Sequence, residues 1–207
     1  MRAGLKEASR LESLWSGKFG DAYTLRNQPN SRRSIFWKKI LSEIKPKNIL
    51  EVGCNQGGNL RWIARNMPVK NIYGVDINES ALGVLKKALP SVNALWSEAR
   101  ELPFRDDYFE IVFTAGVLIH QPASSLRRVM GEVVRCSRRK VLCLEYFSKK
   151  NEEILYRGHR GALFKRDYGK LYLQWFPGLC LQKTGFLGKD QGWDDVTFWL
   201  FEKKRKV

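Results

Sequence analysis

Between residues 34 and 147 the sequence switches repeatedly between short, bulky apolar runs and longer amphipathic ones, and nothing else in the chain restricts its fold as much. NILEVG (48–53), NIYGVD (71–76), VNALW (92–96), YFEIVFTAG (108–116) and KVLCLEYF (140–147) read as strands. SIFWKKILSEI (34–44), GGNLRWIARNM (57–67), ESALGVLKKAL (79–89) and SSLRRVMGEVVRC (124–136) read as helices. In the first helix Ile35, Phe36, Ile40, Leu41 and Ile44 share a face and Pro46 ends it; Asn78 caps the third, which stops at Pro90. Strands alternating with helices of this length need right-handed crossovers. They predict a mostly parallel sheet covered on both faces, a doubly wound, Rossmann-like α/β fold.

The last third differs. DYGKLYLQWF (167–176) reads as a helix, and the β-rich runs LCLQKTGF (179–186) and DVTFWLFEK (195–203) lie too close together for a parallel crossover. The expectation is about seven strands with a C-terminal antiparallel hairpin, in one domain spanning residues 1–207. Residues 1–33 and 147–166 have weaker periodicity and many aromatic and basic side chains. They are candidate lids over the carboxyl ends of the strands, where open α/β sheets bind ligands.

Composition excludes several classes. With 43% apolar and 28% charged residues the chain reads as soluble and globular, and no apolar run approaches the ~20 residues of a membrane-spanning helix. The N-terminus lacks the apolar core of a signal peptide, so the protein is expected to be cytoplasmic. Cys54, Cys136, Cys143 and Cys180 are scattered without a CxxC pair or a neighbouring His, which suggests neither a metal site nor disulfides. The net charge of +16 points to an acidic partner, either nucleic acid, an anionic small molecule or an anionic surface, unless it only solubilises the surface. The tail EKKRKV resembles a nuclear-import signal by composition.

The turn after the first strand, EVGCNQGG, carries the chemistry. It lacks the second glycine of GxGxxG, Asn55 standing in its place, and no Lys follows Gly58 as a P-loop requires; nicotinamide and phosphate-cradling roles are disfavoured. What remains, Glu51-x-Gly53-x-x-x-Gly57, resembles the first motif of class I S-adenosylmethionine-dependent methyltransferases. Asp76 ends the second strand at a spacing that suits hydrogen bonds from ribose hydroxyls. The segment WSEARELPFRDDYFEIVFT (96–114) resembles the methyltransferase stretch before strand four, with Ser97-Glu98-Ala99 in place of Gly-Asp-Ala.

The resemblance implies S-adenosyl-L-methionine as cofactor, held by Glu51, Gly53, Cys54, Asn55, Gln56, Gly57, Asp76, Ile77, Ser97, Glu98, Ala99 and Gly116. It implies residues 34–146 as the cofactor-binding core, 1–33 as an N-terminal lid, and 147–207 as acceptor loop and closing hairpin. Tyr23, Arg26 and Asn27 would close over the cofactor, with Arg26 near its carboxylate. LWSGKFGDAYTLRN, VLIHQP, CLEYF, YRGHRGALFKRDYG and DDVTFWLFEKK together are similar to the pseudaminic acid biosynthesis-associated methylases, which implies a small, anionic, sugar-derived acceptor. Methyl transfer is an in-line displacement that depends mainly on positioning. His120 and His159 are the candidate acid–base residues, and Tyr23, Glu145, Tyr146, Arg157 and Arg160 are candidates to bind the acceptor. No carboxylate cluster suggests metal-dependent catechol-type methylation, and TAGVLIHQP lacks the Asn/Asp-Pro-Pro-Tyr element of DNA amino-methylation. Two alternatives stay open: an RNA methyltransferase, suggested by the charge but without an appended RNA-binding module, and a catalytically silent methyltransferase-like binding subunit.

Overall fold

The segment 49–52, apolar except for Glu51, becomes a fully buried strand (β1, Ile49–Val52) in the computed structural model, which describes residues 2–204. Parallel neighbours flank it: β2 (Ile72–Asp76) and β3 (Asn93–Trp96) on one side, β4 (Phe109–Ala115) and β5 (Ser137–Glu145) on the other. A separate antiparallel ribbon follows, β6 (Glu152–Tyr156) and β7 (His159–Lys165), and then the last strands, β8 (Leu179–Leu187) and β9 (Val196–Lys203). β9 inserts antiparallel between β5 and β8, giving the seven-stranded order β3-β2-β1-β4-β5-β9-β8. The doubly wound sheet and its closing antiparallel hairpin are thus both present.

Among the described residues seven α-helices accompany the strands: α1 (Arg2–Ser16), α2 (Lys18–Arg26), α3 (Arg33–Ile44), α4 (Leu60–Ile63), α5 (Glu79–Ala88), α6 (Ala123–Cys136) and α7 (Tyr168–Trp175). Side chains alternate across the sheet, so it separates two cores. Ile111, Phe113, Leu142 and Leu144 pack with Trp37, Ile40, Leu60 and Leu85 from α3, α4 and α5. Val112, Val141 and Cys143 pack with Leu126, Val129, Met130 and Val133 of α6 and with Tyr168 and Tyr172 of α7. The four α6 residues recur at i, i+3, i+4 and i+7, and each buried side chain contributes roughly 1.5–3 kcal/mol. Asn78 caps α5 as expected, its side-chain oxygen accepting from Ala81 N at 2.7 Å.

Three local expectations need correction, and the N-terminal segment gains definition. Ile35, placed on the buried face of its helix, is 75% exposed, and Trp37 occupies the core instead. The helix expected over 57–67 shrinks to α4, because Gly57 has φ +77° and cannot start a regular helix there. The weakly periodic 147–166 loop is largely the β6–β7 ribbon, whose mostly solvent-facing β6 gives no apolar alternation to read. Residues 1–33 contain two helices, α1 and α2. Arg205, Lys206 and Val207 of the basic tail, and with them the import-signal reading, lie outside the described residues. Among the described residues no helix is long and apolar enough to cross a membrane, and no group of His, Cys, Asp and Glu could hold a metal ion.

Candidate functional site

β1 runs into a turn that demands unusual backbone angles: φ is +74° at Gly53, +46° at Asn55 and +77° at Gly57. A Cβ on Gly53 would lie 2.3 Å from Val117 Cγ2, so glycine is required where the turn after β1 meets the turn after β4. Between these turns lies a cavity of about 480 Å³ at the carboxyl ends of the parallel strands. It is lined by Glu51, Gly53, Cys54, Asn55 and Gln56 from β1 and its turn, Asp76 and Ile77 at the end of β2, Ser97 and Ala99 after β3, Gly116 after β4, and Tyr146 after β5. Two expected cofactor residues do not reach it. Gly57 packs against the Leu85 side chain, and Glu98 turns to Arg100, with Oε2 3.1 Å from Nη2.

Two of the carboxylates that line the cavity, Asp76 and Glu51, lie at the ends of β2 and β1. Asp76 Oδ2 accepts from Asn55 N at 2.7 Å and Oδ1 from Asn78 N at 2.9 Å, and the carboxylate keeps lone-pair capacity for a further donor. Burial pushes its pKa up, and the backbone N–H groups of Asn78, Asn55 and Ile77 oppose that shift. Glu51 is 1% exposed; its Oε1 accepts from Asn59 Nδ2 at 2.7 Å, and its Oε2 is buried with no hydrogen-bond partner. Burial raises the Glu51 pKa to about 8, against the hydrogen bond from Asn59 and the charge of Arg33.

α1 and α2 are bound to the turn residues by side-chain hydrogen bonds. Gln56 Nε2 donates to Thr24 O and Asn27 O, both at 2.7 Å, and Asn55 Nδ2 donates to Thr24 Oγ1 at 3.0 Å. Asn78 Nδ2 donates to Trp15 O and to Asp21 Oδ1. The approach is so close that a Cβ on Gly20 would lie 2.8 Å from Asn78 Nδ2. Tyr23, Arg26 and Asn27 accordingly line the cavity, with Asn27 Nδ2 donating to Tyr23 Oη at 3.0 Å. The Arg26 guanidinium lies 5.7 Å from both the Phe19 and the Tyr23 ring centroids.

Of the catalytic candidates, His120 lines the cavity and His159 does not. His120 is 8% exposed and its Nδ1 lies 2.6 Å from Ala162 O, a carbonyl that can only accept, so Nδ1 carries the proton. Burial lowers its pKa to about 4, leaving a neutral ring with Nε2 unprotonated. His159, on β7, packs edge-on to Phe19 with centroids 5.0 Å apart. Among the acceptor candidates Tyr23, Tyr146 and Arg157 line the cavity, whereas Glu145 and Arg160 do not. Arg157 and Gly158, with φ +49° and +83°, form the two-residue turn of the ribbon that brings Arg157 to the cavity. Glu145 is fully buried below the rim: Oε1 accepts from Val117 N and Leu118 N at 3.1 Å, and Oε2 from Ile119 N at 3.2 Å. Its role is to hold the 117–119 turn that precedes His120; burial raises its pKa to about 7.

Other lining residues escaped the sequence reading: Trp15, Asn78, Arg33, Trp193 and Asp194. Asn78 had a signal, as a polar residue two positions after Asp76. Arg33 and the 193–194 pair had none, because they meet only where the β8–β9 connection packs on the start of α3, with Arg33 Nε donating to Gly192 O at 2.8 Å.

Comparison with known proteins agrees with this geometry. Residues 49–140 match the family model described as a methyltransferase domain. The phthiotriol/phenolphthiotriol dimycocerosates methyltransferase of Mycobacterium tuberculosis is 32% identical over 116 residues, 54% of this chain and 42% of that protein. The chain thus matches less than half the length of this curated relative. Among solved structures, the Burkholderia thailandensis 1,6-didemethyltoxoflavin-N1-methyltransferase, with bound 1,6-didemethyltoxoflavin and S-adenosylhomocysteine, aligns with a TM-score of 0.77 at 12% identity, covering 98% of this chain and 91% of that one. The magnesium protoporphyrin IX methyltransferase from Synechocystis PCC 6803, with bound S-adenosylhomocysteine, aligns at 0.70 and 13% identity over 95% of this chain and 99% of that one. Residues 49–140 thus resemble a methyltransferase domain, and the chain shares the fold of these S-adenosylhomocysteine-bound methyltransferase structures.

Proposed function

We propose that the protein is an S-adenosylmethionine-dependent methyltransferase acting on a small, anionic, sugar-derived acceptor. The observation that carries the reading is the single cavity that joins the Gly53 turn, Asp76 and the orphaned Glu51 Oε2 to the tyrosines and arginines of the rim. These residues fit the cofactor. Asp76 would hold ribose hydroxyls with its remaining lone pairs, the backbone at Gly53 allows close approach, and Ile77, Ser97 and Ala99 would border the adenine. When bound, the cofactor supplies a methyl group activated on a sulfonium.

The protein's share is positioning. With a pKa of about 4, His120 is too weak a base to carry a proton through turnover at neutral pH, and its unprotonated Nε2 serves as a hydrogen-bond acceptor that orients the acceptor molecule. A nucleophile that is already ionised needs no stronger base, which suits an anionic acceptor. Arg157 offers charge-assisted hydrogen bonds to such a group. The resemblance of the chain's terminal segments to pseudaminic acid biosynthesis-associated methylases supports a sugar-derived acid.

The test is incubation with methyl-labelled S-adenosylmethionine and separate pools of acidic sugars, lipids and RNA, with products identified by mass spectrometry. Label in an acidic sugar supports the reading; label confined to lipid or RNA overturns the acceptor, and no transfer to any pool counts against the activity.

A further inference from the structure

One wall of the cavity is aromatic. Trp15 near the end of α1, His120 and Tyr156 all line it, with ring centroids 4.3 Å apart for Trp15 and His120, 5.4 Å for His120 and Tyr156, and 6.4 Å for Trp15 and Tyr156. Other neighbours fix the indole: Phe19 and Tyr23 of α2 meet it edge-on, each with centroids 5.2 Å away, and Trp15 O accepts from Asn78 Nδ2 at 3.1 Å. Its Nε1 is nevertheless buried without a hydrogen-bond partner. The imidazole in contact with it offers the opposite chemistry. Nδ1 donates to Ala162 O at 2.6 Å, so Nε2 can only accept, and no protein group among the described residues donates to it.

An indole N–H only donates and an unprotonated imidazole nitrogen only accepts, so on touching rings they suit a group that does both. A carboxylate cannot donate to Nε2, and an ammonium cannot accept from the indole; a hydroxyl satisfies the pair. We propose that Trp15 and His120 together bind one hydroxyl of the acceptor, Trp15 Nε1 donating to its oxygen and His120 Nε2 accepting from it, so that the site selects hydroxy acids over acids that lack the hydroxyl. The assignment deepens the acidic-acceptor reading above and rests on it: Arg157 takes the charge, and the Trp15–His120 pair fixes which way the acceptor lies. An acid without the hydroxyl displaces water from both groups and leaves them unpaired, which is how such sites discriminate.

The test is proton–nitrogen correlation NMR of the indole groups, with S-adenosylhomocysteine present, on titration with D-glucuronate and with cyclohexanecarboxylate. The two probes share a six-membered ring and a carboxylate, and only the first has hydroxyls. Trp15→Phe identifies the Trp15 Nε1–H signal by its loss. D-Glucuronate should shift that signal and bind about tenfold or more tightly than cyclohexanecarboxylate, which should leave the signal in place. Trp15→Phe keeps an aromatic ring in the wall and should bring the two affinities within about twofold of each other, whereas Arg157→Ala should weaken both acids alike. If Trp15→Phe fails to fold, the affinity ratio of the wild-type protein decides. Equal wild-type affinity for the two acids, or glucuronate binding that moves no indole signal, overturns the hydroxyl subsite, while loss of that binding in Arg157→Ala keeps the acidic-acceptor reading. If neither acid binds, both fail.

Discussion

Replacing Glu145 tests whether the turn leading into the cavity is held from below. Its carboxylate, fully buried, receives the backbone N–H groups of Val117, Leu118 and Ile119 at 3.1, 3.1 and 3.2 Å. In Glu145→Gln the single carbonyl oxygen can still serve two of these donors, but the new amide N–H₂ meets the third. One buried donor left unsatisfied costs ~1–3 kcal/mol, and relief of a buried charge offsets part of that, so the net loss is about 2 kcal/mol. Glu145→Ala strands all three donors, and with imperfect rescue by water the loss is about 4 kcal/mol. Urea unfolding followed by tryptophan fluorescence measures both: with m near 2 kcal/mol/M, the glutamine variant should unfold at a midpoint lower by about 1 M. Affinity for S-adenosylhomocysteine should fall in parallel, because Gly116 and Val117 line the cavity. Both variants unfolding within ~0.5 kcal/mol of wild type would refute the reasoning.

Further outcomes follow from the same geometry. Gly53→Ala combines φ +74° with a Cβ 2.3 Å from Val117 Cγ2, so it should lower both the melting temperature and cofactor affinity; an unchanged thermal scan would show that the turn relaxes freely. For His120 the folded pKa of about 4 lies below the ordinary 6.5, so the neutral ring contributes stability that is present above pH ~6.5 and lost as pH falls through ~4, in total about 3 kcal/mol. His120→Gln should flatten that acid limb in pH-dependent unfolding, and an unaltered limb would place the titration elsewhere. Arg157→Ala should raise the acceptor's KM or lower kcat/KM with cofactor affinity unchanged, while Arg160→Ala, whose side chain does not line the cavity, should leave both nearly as they are; equal effects in steady-state kinetics would contradict the placement.

The strands that carry the site were readable because central parallel strands are buried on both faces and appear as predominantly apolar runs, as at 49–52 and 109–113, each interrupted by a single glutamate, Glu51 or Glu110. The turn residues were readable for a different reason: Gly53 and Asp76 answer to local backbone and spacing requirements that short motifs record. Glu145 was placed at the rim from its position at a strand end, but sequence does not show which side of the sheet a carboxylate faces, and this one turns inward to three N–H groups. His159 is placed apart from the cavity on similar grounds, since Arg157 two positions before it lines the cavity while its own ring packs on Phe19. The ribbon at 152–165 was missed because mostly exposed strands carry no apolar alternation and its turn, Arg-Gly, is not the usual Asn-Gly or Asp-Gly. Arg33 and Trp193 lie 160 positions apart and meet only through the packing of the β8–β9 connection on α3, which no local pattern encodes.

The most direct measurement of the central claim is a calorimetric titration of S-adenosylhomocysteine into wild-type protein and into Asp76→Ala. The account predicts one site per chain for the wild type, and about tenfold or weaker binding for the variant, the loss expected when charge-assisted hydrogen bonds worth ~1.5–3 kcal/mol are removed. Equal affinity for the two proteins, or no binding to the wild type, would contradict it.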